Sequence, residues 1–286
     1  MKSRWMCGMA LSLAALAVPS TGQQQAQQTA AQTGAIEFVV QVAPTGGRPE
    51  LVMKLAVSLL RRSFAEIHKE AEQGEPKPDM DKFIEGLEVS QELKEWMKRT
   101  RSVELSGTEF AKKVTTDDIF NVPEFFEAYM ARNVGDTTTG FPVTKAREKD
   151  RTENPQRYAK AQQEYRQALR KFVETKPYSR DGMEVELASI NPAQRWAVLE
   201  GQRRQRIRDR ALELTETTYL VVKTETDLEG RGAFSGVLAG NYWLSTGETE
   251  AIVGDARLRW DTPVPVRGGR VTRVTLSNVN AVRKDR

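Results

Sequence analysis

The sequence predicts an α+β protein, a seven-or-so-stranded antiparallel β-sandwich interrupted by an all-α insert. Three observations predict it. The run TETDLEGRGAFSGVLAGNYWLST, Thr224 to Thr246, reads as two β-turns between three short strands. A second alternating stretch lies near the other end of the chain, and the 150 or so residues between them follow helical rather than strand periodicity.

Taking the elements in order, residues 1–22 have the form of a signal peptide: Lys2 and Arg4, an apolar run from Met9 to Val18, then Pro19 and small residues. The run is too short to span a bilayer, so no transmembrane anchor is expected after cleavage. Ser20 and Gly22 favour cleavage after Gly22, with Ala17 the alternative. Cys7 precedes most of the apolar run, where a lipidated cysteine would follow it, so the exported chain has no cysteine, no disulfide and no thiol nucleophile. The expected location is periplasmic or extracellular. About 250 mature residues suit one large domain or two smaller ones. The net charge of +4 includes Lys2 and Arg4, which leaves about +2 and gives no electrostatic footprint for a polyanion.

Residues 23–34 are rich in Gln, Ala and Thr and read as a flexible leader. Next, Ile36, Phe38, Val40 and Val42 alternate with Ala35, Glu37 and Gln41. After PTGGRPE, Met53, Leu55, Val57 and Leu59 alternate with Lys54, Ala56 and Ser58. This predicts a β-hairpin with one buried face.

From Arg62 to Glu216 the pattern is helical. Asp79, Ser90, Asn121, Asn154 and Asn191 stand where N-caps are expected, with Glu124 at capping-box spacing from Asn121, and Pro155 and Pro192 at first helical positions. Tyr158, Ala161, Tyr165, Ala168 and Phe172 give residues 155–175 an apolar stripe. Trp196, Leu199, Ile207, Ala211 and Leu214 mark a second long helix. The starts NPQRYA and NPAQRWA hint at a repeat. Met183, Val185 and Leu187 fit either a strand or a helix.

Strands resume after Thr217. Asp227 to Gly230 fits a type I turn, Asp accepting from backbone two residues on and Gly supplying positive φ; a further turn is expected at Ala239–Asn241. Ala251 to Trp260 alternates imperfectly, Val264 and Val266 sit in a proline-interrupted run suited to a sheet edge, and Val271 to Leu276 closes the series. Residues 35–61 plus 217–280 are therefore expected to form one discontinuous sandwich, 62–216 its insert and 281–286 a basic tail. A helical domain followed by a β domain is the competing layout.

The carboxy-terminal part resembles the carboxypeptidase regulatory-like family, transthyretin-like sandwiches related to the B-type repeats of collagen-binding surface proteins. The pattern is carried by Thr226, Asp227, Gly230, Arg231, Phe234, Leu238, Gly240, Tyr242 and Leu244. The resemblance implies a non-catalytic module that packs against neighbours or mediates binding. It says nothing of the 62–216 region, where family members have a short link.

No motif nominates a catalytic residue, a metal site or a cofactor. His68 is expected on an exposed helix face, without His or Cys partners. Gly232–Gly236 places its serine one position late for a nucleophile elbow, and Asp227 with Glu229 offers too few oxygens for calcium. Arg203, Arg204, Arg206, Arg208 and Arg210 form the densest charge cluster. Export argues against nucleic acid, and pairing with the acids of residues 66–95 is the simpler role. If Tyr242 and Leu244 face the core, alternation sends Trp243 to the outer side of the same sheet, where the helical region would cover it. Trp243, Trp260, Tyr219, Arg203, Arg206 and Arg210 are thus the candidate binding or interdomain residues. The expected function is an exported non-catalytic module contacting an unidentified envelope protein. A carbohydrate-binding protein stacking sugar on Trp243, Trp260 or Tyr219 is the alternative, and a hydrolase with acids in the insert is a third.

Overall fold

A computed structural model describes residues 32–135 and 138–282. The expected signal peptide with Cys7, residues 23–31 of the expected leader and residues 283–286 of the expected tail lie outside the described residues. The protein is mixed α+β and divides into two compact units. One is built from the described parts of Met1–Gly74 and Ile207–Arg286, the other from Glu75–Arg206. The boundaries fall inside the 62–216 stretch, because the helical segments next to the strands group with the sandwich.

The sandwich unit holds strands β1 (Thr33–Val42), β2 (Glu50–Leu51) and β3 (Ala56–Leu60), helix α1 (Phe64–Gly74), and, beyond the other unit, β4 (Leu220–Glu225), β5 (Arg231–Leu238) and β6 (Gly240–Ser245). Strands β7 (Ala251–Val253), β8 (Ala256–Leu258), β9 (Asp261–Val266) and β10 (Val271–Leu276) complete it. In the first sheet β1 is central, flanked by β10 and β5, with β2 pairing its far end; the second sheet has the order β4-β3-β6-β9. Ile36, Phe38, Val40 and Val42 meet Val57, Leu59, Leu244 and Val264 in one buried core between the sheets. Thr33 and Gly34, read as the end of the leader, already belong to β1.

Two expectations about pairing are corrected. β1 and β3 are not a hairpin: they lie in opposite sheets and face each other across the core. Alternation identifies the buried face of a strand and leaves its partner open. The connection between them also carries Pro44 and Pro49 and the short β2, which suits a crossing between sheets rather than a tight turn. Nor is the sandwich wholly antiparallel, since β1 and β10 run parallel from Ala35↔Val271 to Val40↔Leu276. A parallel pair needs a long connection, and here most of the chain supplies it. Met53 is 55% exposed and lies outside both strands. The stretch 251–260 folds back on itself at Gly254 and Asp255 as the β7–β8 hairpin, not as one strand.

The Asp227 turn forms with the expected chemistry. The Asp227 carboxylate accepts the Glu229 N–H at 3.0 Å and the Arg231 N–H at 2.7 Å, and Gly230 has φ +66°. A Cβ on Gly230 would lie 2.9 Å from the Val40 carbonyl oxygen, so the left-handed backbone and the close approach to β1 both require glycine. Gly230→Ala is expected to cost about 2 kcal/mol from these two terms, measured by urea unfolding; an unchanged midpoint would refute this account of the turn. β9, with Pro263 and Pro265, is the edge strand expected of a proline-interrupted run.

The helical unit contains α2 (Met80–Glu85), α3 (Gln91–Thr100), α4 (Gly107–Lys113), α5 (Thr116–Asn121), α6 (Pro123–Asn133), α7 (Glu148–Glu153), α8 (Pro155–Thr175), α9 (Met183–Leu187) and the first part of α10 (Ala193–Leu214). The 183–187 segment is helix. The side chains of Asp79, Ser90 and Asn154 cap α2, α3 and α8 by accepting from the backbone three residues on, and that of Asn191 accepts the Ala193 N–H as α10 begins. Asn121 is not a cap: it ends α5, while Glu124 accepts the Ser90 N–H and hydroxyl, both at 2.6 Å. The capping box of this region is Thr115 with Asp118. Trp96, Phe110 and Phe125 pack edge to face at the centre of the core, with centroids 5.0 to 5.8 Å apart.

Candidate functional site

The six candidate residues separate by environment. Trp243 lies on the outer face of the second sheet, opposite Leu60 on β3. There it joins a cluster with Phe64, Ile67 and Ala71 of α1 and Ile207, Ala211 and Leu214 of α10, all within the sandwich unit. Tyr242 and Leu244 pack on the inner core, as strand alternation requires. Trp260 is 1% exposed and donates its indole N–H to the Ser277 carbonyl at 2.9 Å, so it presents no ring face to a sugar. Tyr219 is engaged too. Its hydroxyl donates to Glu70 at 2.8 Å and accepts from Arg62 at 3.1 Å, and the Arg62 guanidinium lies 5.7 Å from the ring centroid. Arg203 donates to the Glu75 carbonyl and Arg206 pairs with the Glu75 carboxylate at 2.9 Å; Arg210 pairs with Glu213 at 2.6 Å and Arg208 with Glu248 at 3.3 Å. Of the acids in 66–95, then, Glu75 pairs with Arg206 through its carboxylate and holds Arg203 through its backbone carbonyl, while Arg208 and Arg210 pair elsewhere.

Asp261, which the sequence did not single out, fastens this cover to the sheet. From the start of β9 its carboxylate accepts the N–H groups of Phe64 at 3.0 Å and Ala65 at 3.1 Å, where α1 begins. Burial raises its pKa above the ordinary aspartate value, outweighing the lowering by those two N–H groups and the Ser245 hydroxyl. The native state therefore binds the proton more tightly than the unfolded chain. Between the ordinary and the raised value it holds more protons, so this contribution to stability is fully present below the ordinary value and is lost as pH rises through the raised one. Asp261→Asn keeps an acceptor without the charge. It is expected to flatten the pH dependence of urea-unfolding stability in the mildly acidic range, and a slope identical to that of the parent would contradict the assignment.

A concave surface belongs wholly to the helical unit. The apolar stripe of α8 was expected to face a core along its length, but only Leu169, Phe172 and Val173 are buried. Tyr158, Ala161 and Tyr165 are only partly buried and join none of the three core clusters, and Ala168 is exposed. Burial still pushes the Tyr165 phenol up, so the stripe is partly desolvated. Beside it a groove of about 670 Å³ runs between α8 and the end of α5, lined by Phe120, Asn121, Tyr158, Gln162, Gln163 and Arg166 among others. Phe120 is held in place by Phe126, centroids 5.8 Å apart, and by the Arg170 guanidinium 5.3 Å from its ring; Arg170 also pairs with Asp117 at 2.5 Å. The Gln162 amide donates to the Tyr158 hydroxyl at 3.2 Å. Asn121, Gln163, Arg166 and Gln167 spend no side-chain polar group on a described residue. The groove thus offers two aromatic rings, several amides and an unpaired guanidinium. The residues from α5 lie nearly forty positions from Tyr158, a separation that no local motif bridges.

No protein-family model and no curated protein matches the chain. Among solved structures, a candidate carbohydrate-binding protein from Pseudomonas aeruginosa is similar at 12% identity and a TM-score of 0.26, over 91% of this chain and 99% of that one. A pilus backbone protein from Streptococcus pneumoniae is similar at 12% identity and a TM-score of 0.22, over 85% of this chain and 40% of that one. At such scores neither likeness carries an argument. No helix among the described residues is long and apolar enough to cross a membrane.

Proposed function

We propose that the chain is an exported, non-catalytic module, a carboxypeptidase regulatory-like sandwich carrying a helical unit that contacts another protein of the cell envelope. One observation carries the reading: three turns of the amphipathic stripe of α8 stay outside every core and border the groove at Phe120 and Tyr158. Apolar helix faces are normally buried, and partly desolvated aromatic surfaces rimmed by polar groups are the kind that partners cover. The partner segment would place an apolar side chain beside Tyr158 and an acidic group at Arg166. The signal-like amino terminus supports export.

A photoreactive residue at position 163 of the full chain, irradiated with envelope extract, is expected to give a protein adduct of defined mass. The same probe at position 270, on the sandwich, should not give it. Tyr158→Ala with Arg166→Glu should abolish the adduct without altering the circular dichroism spectrum. An adduct insensitive to that double change would sink the proposal. The second reading, a glycan ligand, is favoured by the amides beside the rings; retention on a polysaccharide column lost in the same variant, with no protein adduct, would select it.

A further inference from the structure

The outer face of the second sheet is covered across only part of its surface. Residues opposite one another on neighbouring strands share a face, which arranges this surface in rows. The row Leu220, Leu60, Trp243 lies in the cluster under α1 and the end of α10. The adjacent row, Lys223 opposite Ser58 opposite Ser245, borders a cavity of about 520 Å³. Phe64 of α1, Leu212 of α10 and Leu220 supply apolar wall, and all of its lining residues belong to the sandwich unit. The remaining wall includes Thr215 and Glu216 from the π-helical turn Thr215–Tyr219, which ends α10. Such wide turns are uncommon and recur at functional sites. This one is secured by the buried Thr215 hydroxyl, which donates to the Ala211 carbonyl at 2.8 Å.

The polar groups of the cavity differ in what they have left to offer. Glu248 is paired with Arg208 at 3.3 Å, and the Ser245 hydroxyl both accepts from Gly247 and serves Asp261. Lys223 and Glu216 have opposite charges and line the same space, yet form no ion pair with each other or with any described residue. The Ser58 hydroxyl likewise has no partner among the described residues. One ammonium, one carboxylate and the hydroxyls of Ser58 and Thr249 therefore remain around a largely apolar cavity. Its volume lies within the range of small-ligand pockets.

We propose that this cavity binds a short zwitterionic peptide of about two apolar residues. Its carboxylate would sit at Lys223 and Ser58, its ammonium group at Glu216, and its side chains against Phe64, Leu212 and Leu220. A neutral sugar would leave both charges unanswered, and a simple anion would use only one of them. The inference is independent of the groove in the helical unit.

The test is calorimetric titration of the full mature chain with the dipeptide Leu-Leu, with N-acetyl-Leu-Leu, with Leu-Leu amide and with cellobiose. Leu-Leu is expected to bind one to one, and blocking either end should weaken it about fivefold or more. Lys223→Ala should reduce Leu-Leu to the level of its amide while leaving the amide unchanged, and Glu216→Gln should do the same for the acetylated form. Both side chains are exposed, so the variants should keep the parent circular dichroism spectrum. Three results would overturn the proposal: no saturable binding of Leu-Leu at millimolar concentration, binding indifferent to both substitutions, or preference for cellobiose.

Discussion

Replacing Trp260 with alanine is expected to destabilise the sandwich by about 4 kcal/mol, the largest single effect foreseen for this chain. The indole is 1% exposed and packs in the same core as Leu244, Val264 and Leu276. Its removal would leave a large cavity in a close-packed interior and strip the Ser277 carbonyl of its 2.9 Å donor. Trp260→Phe refills part of the volume without restoring that bond, so it should cost clearly less than alanine. The measurement is the urea midpoint together with amide exchange at β9 and β10. If Trp260→Ala instead left stability intact and removed binding to a polysaccharide, the assignment of this residue to the core would be wrong.

Trp243→Ala is expected to cost about 3 kcal/mol, at the lower end for a large aromatic because the ring is only partly buried. Its place between the second sheet and the helical segments Phe64–Gly74 and Ile207–Leu214 makes the consequence local. Amide exchange should rise first in those two segments, while β1 and β10, on the other sheet, change little. Uniform acceleration throughout the sandwich would show that the ring supports the inner core instead. Faster exchange confined to β6 would mean that it supports its own strand rather than the helices over it.

Much of this architecture was legible in the chain, for reasons that differ by residue. The inward set Ile36, Phe38, Val40 and Val42 and the outward placement of Trp243 follow from a period of two, which is a property of one strand alone. Asp79, Ser90 and Asn154 reveal helix starts because capping is also local. Pairing was not legible: Phe38 opposes Gly232 on one side and Val274 on the other, and no periodicity specifies partners so distant in sequence. The stripe of α8 misled in another way. Tyr158 and Tyr165 have the spacing of core residues, yet spacing cannot tell whether a chain supplies a surface to cover them. The cavity at Ser58, Lys223 and Glu216 was invisible for a related reason, since single polar residues carry no signal until the sheet and the turn after α10 bring them to one space.

The alternation of consecutive strands between sheets bears on how this chain comes to fold. β4 joins the second sheet, β5 the first and β6 the second, while β1 draws its parallel partner from residues 271–276. Few of these pairings can form early, because each awaits a segment made much later, and such distant contacts slow the search for the native state. The helical unit, Glu75–Arg206, is contiguous and complete before β4 has been synthesised. β1 must remain unpaired with β10 until residues 271–276 are available, a period in which an apolar strand is prone to aggregation. Late closure makes the pairing of β10 the step on which the place of β1 depends.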